Sequence, residues 1–105
     1  MEIIDHCVEK NPPEYNIDKA MEECIEFQEV LIKLRTKNAT NPRRPKEVEA
    51  LKEFGDVIYR GIIALRTIFP DANLEDILLD VNEHINKKLS RLGEFKKEGK
   101  YAGGL

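Results

Sequence analysis

Three apolar stripes with helical spacing, each closed by proline or turn-forming residues, constrain this chain most. Ile17, Ala20, Met21, Cys24, Phe27, Leu31 and Leu34 recur at intervals of three and four. Val48, Leu51, Phe54, Ile58, Ile62, Leu65 and Phe69 do the same, as do Leu74, Ile77, Leu78, Val81, Ile85 and Leu89. That interval gathers side chains on one face of a helix, whereas a strand would need strict alternation, which no segment offers. The fold class expected is all-α. In Asn11-Pro12-Pro13-Glu14, Pro12 takes a favoured first helical position and Glu14 follows three residues after Asn11, so a first long helix is predicted from about residue 12 to about Lys37. NATNPRRP, residues 38–45, breaks the period. A second helix then runs from Val48 to Phe69, where Pro70 stops it. Asp71 and Asn73 can cap a third, which reaches about Leu92. Residues 1–10 have room for a short helix, and residues 1–11 and the tail 94–105 are expected to be less ordered than the rest.

A chain of 105 residues makes one domain and buries only a modest share of its surface. A helical bundle of about three main helices per chain, completed by oligomerisation to a homodimer or homotetramer, is therefore expected. At 41% hydrophobic residues the composition excludes wholesale disorder. No apolar run approaches the roughly 18 residues that cross a bilayer. The opening MEIIDHCVEK lacks a basic segment followed by an apolar one, so no secretory signal is read there and a cytoplasmic location is expected. Twenty acids against 17 bases leave a net charge of -3, which argues against general nucleic-acid binding. Cys7 and Cys24 form no metal-binding pair and read as thiols filling small apolar sites.

The acids need a local explanation. Glu23 with Glu26, and Glu53 with Asp56, are three residues apart, about 60° around a helix, so each projects as a close pair. Two such pairs facing one another would surround one space with carboxylates, an arrangement that repels itself unless a hard cation such as magnesium neutralises it. Acids on helices are commonly just a solvated face, and in a chain this acidic the bare pattern carries little weight. Position on the wheel says more. Glu23 falls between Phe27 on one side and Val30 and Leu34 on the other, at the edge of the apolar arc, where a carboxylate needs a partner. Glu49, Glu53 and Asp56 lie opposite the main stripe of their helix and are buried only if something packs over that face. Val57, Ile63 and Ala64 flank them and offer a second contact surface, consistent with a neighbouring subunit.

With these residues in hand, the chain resembles the MazG-like members of the all-α nucleoside triphosphate pyrophosphohydrolase superfamily. The EExxE half reads Glu22-Glu23-Cys24-Ile25-Glu26 and the ExxD half Glu53-Phe54-Gly55-Asp56, with 26 residues between them. Lys19, the run Asp56-Val57-Ile58-Tyr59 and the run Lys88-Leu89-Ser90-Arg91 extend the likeness over about residues 16 to 101. Two departures stand out: Asn16 occupies a position where many relatives carry Gln, close to the nucleotide, and the basic connection from Arg35 to Lys46 matches no part of the motif.

The resemblance implies hydrolysis of a nucleoside triphosphate to monophosphate and pyrophosphate, with magnesium as cofactor and manganese as a substitute. Glu23, Glu26, Glu53 and Asp56 would hold the metal. Glu22, about 100° from Glu23, would orient or deprotonate the water, or simply face solvent. Asn16, Lys19, Lys88 and Arg91 are the substrate-binding candidates. Lys19 would touch a phosphate oxygen or neutralise the acids. Lys88 and Arg91 would reach the triphosphate or complement the dipole of their helix. Neither His6 nor His84 follows a Glu by three residues, which disfavours a di-iron bundle, and no GxxxxGK[ST] phosphate loop is present. The competing class is a non-enzymatic helical interaction module whose acids form a charged face.

Overall fold

In the computed structural model, which describes residues 2–35 and 44–99, the chain is all-α. The described residues form helices α1 (Glu2–Lys10), α2 (Pro13–Arg35), α3 (Glu47–Ile68) and α4 (Leu74–Lys97), with no strand among them. Three are the long helices read from the apolar stripes, and the short helix of the N-terminal segment is added to them. The expected end of the first helix at Lys37, most of the connection 38–45 and the tail from residue 100 onward lie outside the described residues.

Local chemistry sets the helix boundaries. α2 begins at Pro13 rather than Pro12, because a residue that precedes proline is pushed out of the helical region while proline itself suits the first turn. Asn73 caps α4 as expected: its side chain accepts a hydrogen bond from the Glu75 amide at 2.8 Å. α4 continues to Lys97, past the expected Leu92. Phe95 carries the spacing onward from Leu92 and lies under the Arg91 guanidinium, 5.9 Å from its centroid. Gly99, at φ 72°, then supplies the left-handed residue that ends the helix.

The chain falls into two units, Met1–Pro70 and Asp71–Leu105. In the first, α2 packs along α3, and α1 lies against both. Asn16, Ala20, Glu23, Phe27, Val30 and Leu34 are buried or half-buried along one seam of α2, and Ala50, Glu53, Val57, Arg60, Ala64 and Thr67 along one seam of α3. Both seams step by alternating threes and fours, the spacing of two helices packed nearly side by side.

The face of α3 that points inward is not its more apolar one. Leu51 and Ile58, from the main stripe, are 73% and 48% exposed, whereas Ile63 and Ala64 are buried. The acid-bearing second surface is covered by α2 of the same chain, with no second subunit needed. α2 divides likewise: Ala20, Phe27 and Leu34 turn inward while Met21, Cys24 and Leu31 are exposed.

Arg44 and Arg66 tie down helix ends. The Arg44 guanidinium donates to the Leu34 carbonyl at 3.4 Å and pairs with Glu47 at 3.2 Å, linking the end of α2 to the start of α3. Arg66 donates to the Phe69 and Pro70 carbonyls and pairs with Asp5 of α1 at 3.4 Å. In the second unit, α4 buries Ile77 and leaves Leu78, Val81, Ile85 and Leu89 exposed.

Candidate metal centre

The seam between α2 and α3 is organised in layers. Phe27 meets Phe54, with ring centroids 5.4 Å apart. One turn back along α2, Glu23 feels the charges of Glu26 on its own helix and of Glu53 and Asp56 on α3. Another turn back, Lys19 feels the charge of Arg60. At the closed end, Asn16 donates to Thr67 at 3.1 Å. Residue numbers fall along α2 as they rise along α3, so the helices are antiparallel and the layers follow one another about every 6 Å, the rise of four helical residues.

In the acid layer, Glu23, Glu26 and Glu53 each place one carboxylate oxygen within 4.8 Å of the others. All three side chains are half-buried. The Oε2 atoms of Glu23 and Glu53 are shielded from solvent and have no hydrogen-bond partner. Partial burial, a hydrogen bond shared with Glu26, and the charges of Glu26, Asp56 and Glu53 push the Glu23 carboxyl above the usual carboxylate range. Asp56 lies outside the close group of three but adds its charge to it. Folding alone leaves this layer short of positive charge and of donors for two buried acceptors. A small hard cation would supply the charge and, by accepting the oxygen lone pairs, take the place of the missing donors, so this all-carboxylate set fits magnesium.

No protein family, curated protein or solved structure matches this chain. The site therefore stands on its own geometry.

Of the other sequence candidates, Asn16, Lys19 and Glu22 lie on α2, and Lys88 and Arg91 on α4. Lys19 pairs with Glu22 at 3.1 Å and lies 5.7 Å from the Tyr15 ring centroid. The hydrogen bond and charge of Glu22 hold the ammonium above its ordinary range, against the opposing charge of Arg60. Glu22 is exposed on the outer side of α2 and is not one of the three converging acids. Asn16 is fully buried, and its amide donates to Thr67 and, at 3.5 Å, to the Cys7 carbonyl, which joins α1, α2 and α3. This places it two turns from Glu23, among backbone and hydroxyl partners. Lys88 and Arg91 are exposed on α4, in the second unit.

Arg60 was not among the sequence candidates. It is half-buried, its Nε is shielded and has no hydrogen-bond partner, and its Cζ lies 5.0 Å from the Tyr59 ring centroid. The signal that would have found it is spacing: Arg60 stands four residues after Asp56 and seven after Glu53, on their face of the helix.

Proposed function

We propose that this protein is a magnesium-dependent nucleotide pyrophosphohydrolase of the MazG-like kind, converting a nucleoside triphosphate to the monophosphate and pyrophosphate. The observation that carries this reading is the convergence of Glu23, Glu26 and Glu53 from two helices, with a buried, unpartnered oxygen on Glu23 and another on Glu53. Structural acids on helices usually face water, and two left unpartnered and shielded in the same layer represent an unmet need for a cation. The motif resemblance then selects the chemistry.

Glu23, Glu26 and Glu53 would hold the metal, and the motif resemblance adds Asp56 as a fourth ligand. When bound, magnesium neutralises phosphate charge and lowers the pKa of coordinated water, and manganese substitutes for it. The water oxygen bonds to the α-phosphorus as the bridging α–β P–O bond breaks, and pyrophosphate leaves with the electron pair. By the resemblance Glu22, exposed on α2 and paired with Lys19, would take the water proton. Lys19 would bind phosphate oxygens, and for Lys88 and Arg91, on α4 of the second unit, the motif resemblance alone supports a role toward the triphosphate. The exposed apolar faces of α2 and α3, including Met21, Ile25, Leu51 and Ile58, support assembly into a homodimer or homotetramer. A cytoplasmic location accords with the reduced thiols this reading assigns to Cys7 and Cys24. Among the described residues, no helix is long and apolar enough to cross a membrane.

The same apolar faces favour a second reading, a helical interaction module with no activity of its own. Release of pyrophosphate from a panel of ribo- and deoxyribonucleoside triphosphates with magnesium separates the two. Turnover of at least one substrate by the wild type, lost in Glu53→Gln, supports the enzyme. Equal background release by both proteins across the panel sinks it.

A further inference from the structure

Unmet polar demand of both signs lies within the α2–α3 seam. In the acid layer it is two acceptors, Glu23 Oε2 and Glu53 Oε2, one layer on a donor, Arg60 Nε, and beyond that Asn16 Oδ1, while Arg44 Nε is a further unpartnered donor just before α3. Buried polar atoms in folded proteins are nearly always partnered, so each orphan indicates a group that belongs beside it. Two acceptors call for a cation and a guanidinium N–H for an anion.

Arg60 has carboxylates within reach along its own helix. Asp56 is one turn before it and Glu53 two turns before it, on the same face. Yet among the described residues no carboxylate lies within ion-pairing distance of Arg60. Instead its guanidinium lies against the Tyr59 ring, and its charge works against the nearby Lys19. Lys19 is already paired with Glu22, so the cation of this layer that lacks an anionic partner is Arg60, and a bound anion would supply one. Arginine is the suitable residue for this, since its fork of donors matches phosphate oxygens while its plane stacks on an aromatic ring.

We propose that Arg60, with Lys19, forms the polyphosphate-binding layer of the site and receives the leaving pyrophosphate. This rests on the metal-dependent nucleotide reading above. The alternation of layers then orients the ligand. With a metal held at Glu23, Glu26 and Glu53, one phosphate would be bound there and the remaining phosphates would extend one helical turn, about 6 Å, toward Lys19 and Arg60. The nucleoside points the other way, toward Phe27 and Phe54. A cation at the leaving-group end favours departure, because negative charge accumulates on the pyrophosphate as the α–β bond breaks.

Titration calorimetry of inorganic tripolyphosphate in magnesium tests this on the full chain without requiring the correct base. The wild type, Arg60→Gln, Arg60→Lys and Glu53→Gln are compared, with helicity checked by circular dichroism. Arg60→Gln is expected to weaken tripolyphosphate binding at least tenfold while retaining the magnesium-induced rise in melting temperature. Arg60→Lys, which keeps a charge but loses the fork, is expected to weaken it several-fold. If Arg60→Gln binds within twofold of the wild type while Glu53→Gln does not bind, the assignment to Arg60 is overturned and the metal reading stands. If the wild type binds neither magnesium nor magnesium tripolyphosphate, the metal reading fails and this assignment fails with it. Should Arg60→Gln lose helicity, Arg60→Lys decides: wild-type affinity overturns the assignment, and a several-fold loss supports it.

Discussion

Glu23 of α2 and Glu53 of α3 bring a carboxylate oxygen each within 4.8 Å of the other, and on each the Oε2 atom is shielded from solvent without a hydrogen-bond partner. The pair determines what metal should do to stability. In the absence of metal, Glu53→Gln removes one like charge from the layer, so this variant should melt at or slightly above the wild type. With magnesium at about 100 times its dissociation constant, the wild type gains about 2.7 kcal/mol, which for a chain of this size is a rise on the order of 10 °C. Glu53→Gln should show little of that rise. Differential scanning calorimetry with and without the metal checks both parts, and equal shifts in the two proteins would remove Glu53 from the ligand set.

Because the Glu23 carboxyl is held above the usual range, the folded state binds a proton there more tightly than the unfolded chain does. A carboxyl shifted in this direction costs stability once ionised. The cost is absent below the unfolded glutamate value of about 4.3, grows as pH rises toward the folded value and is complete above it. Glu23→Gln should therefore gain on the wild type as pH is raised through this window, in metal-free buffer. Urea denaturation at a series of pH values measures the gap between the two proteins. A gap that stays flat with pH would contradict the assignment.

Asn16 joins three helices through one amide, donating to Cys7 of α1 and Thr67 of α3 from its place on α2. Asn16→Ala strands those acceptors in a buried site and should cost about 1–3 kcal/mol. The urea midpoint should fall while the slope stays unchanged. Asn16→Asp should be worse at neutral pH, since it buries a charge beside a carbonyl. Were Asn16 to act mainly on the nucleotide, Asn16→Ala would instead raise KM and leave the midpoint where it was.

Ile63 and Leu51 lie on the same helix in opposite environments, 4% and 73% exposed. Ile63→Ala should cost about 2–5 kcal/mol through lost burial and the cavity left behind. A Leu51→Glu, Ile58→Glu double variant should keep its helicity but lower the solution mass measured by light scattering, because charge on that face opposes assembly. A wild type that is itself monomeric at every concentration would dispose of the assembly proposal.

What the sequence determined by itself is what local interactions determine. Helix content follows from a period of three and four residues, and the stop at Pro70 and the Asn73 cap were legible within a turn or two of the chain, whereas α2 starts at Pro13 rather than Pro12 and α4 runs past Leu92 to Lys97. The spacing of Glu23 with Glu26 and of Glu53 with Asp56 likewise made two carboxylate pairs legible. Which way those pairs face was not. α3 carries apolar side chains on both sides, and the stripe richer in large ones, with Leu51 and Ile58, is the side left exposed. The helix buries its other side, with Ala50, Val57 and Ala64, where it packs along α2, whose Ala20, Phe27 and Val30 are covered in turn, and complementarity of that kind is a property of two surfaces together. Only that docking brings Glu53 to Glu23 and sets Arg60 beside Lys19. Hydrophobic periodicity counts how apolar a face is, while the packed structure decides which face finds a partner that fits.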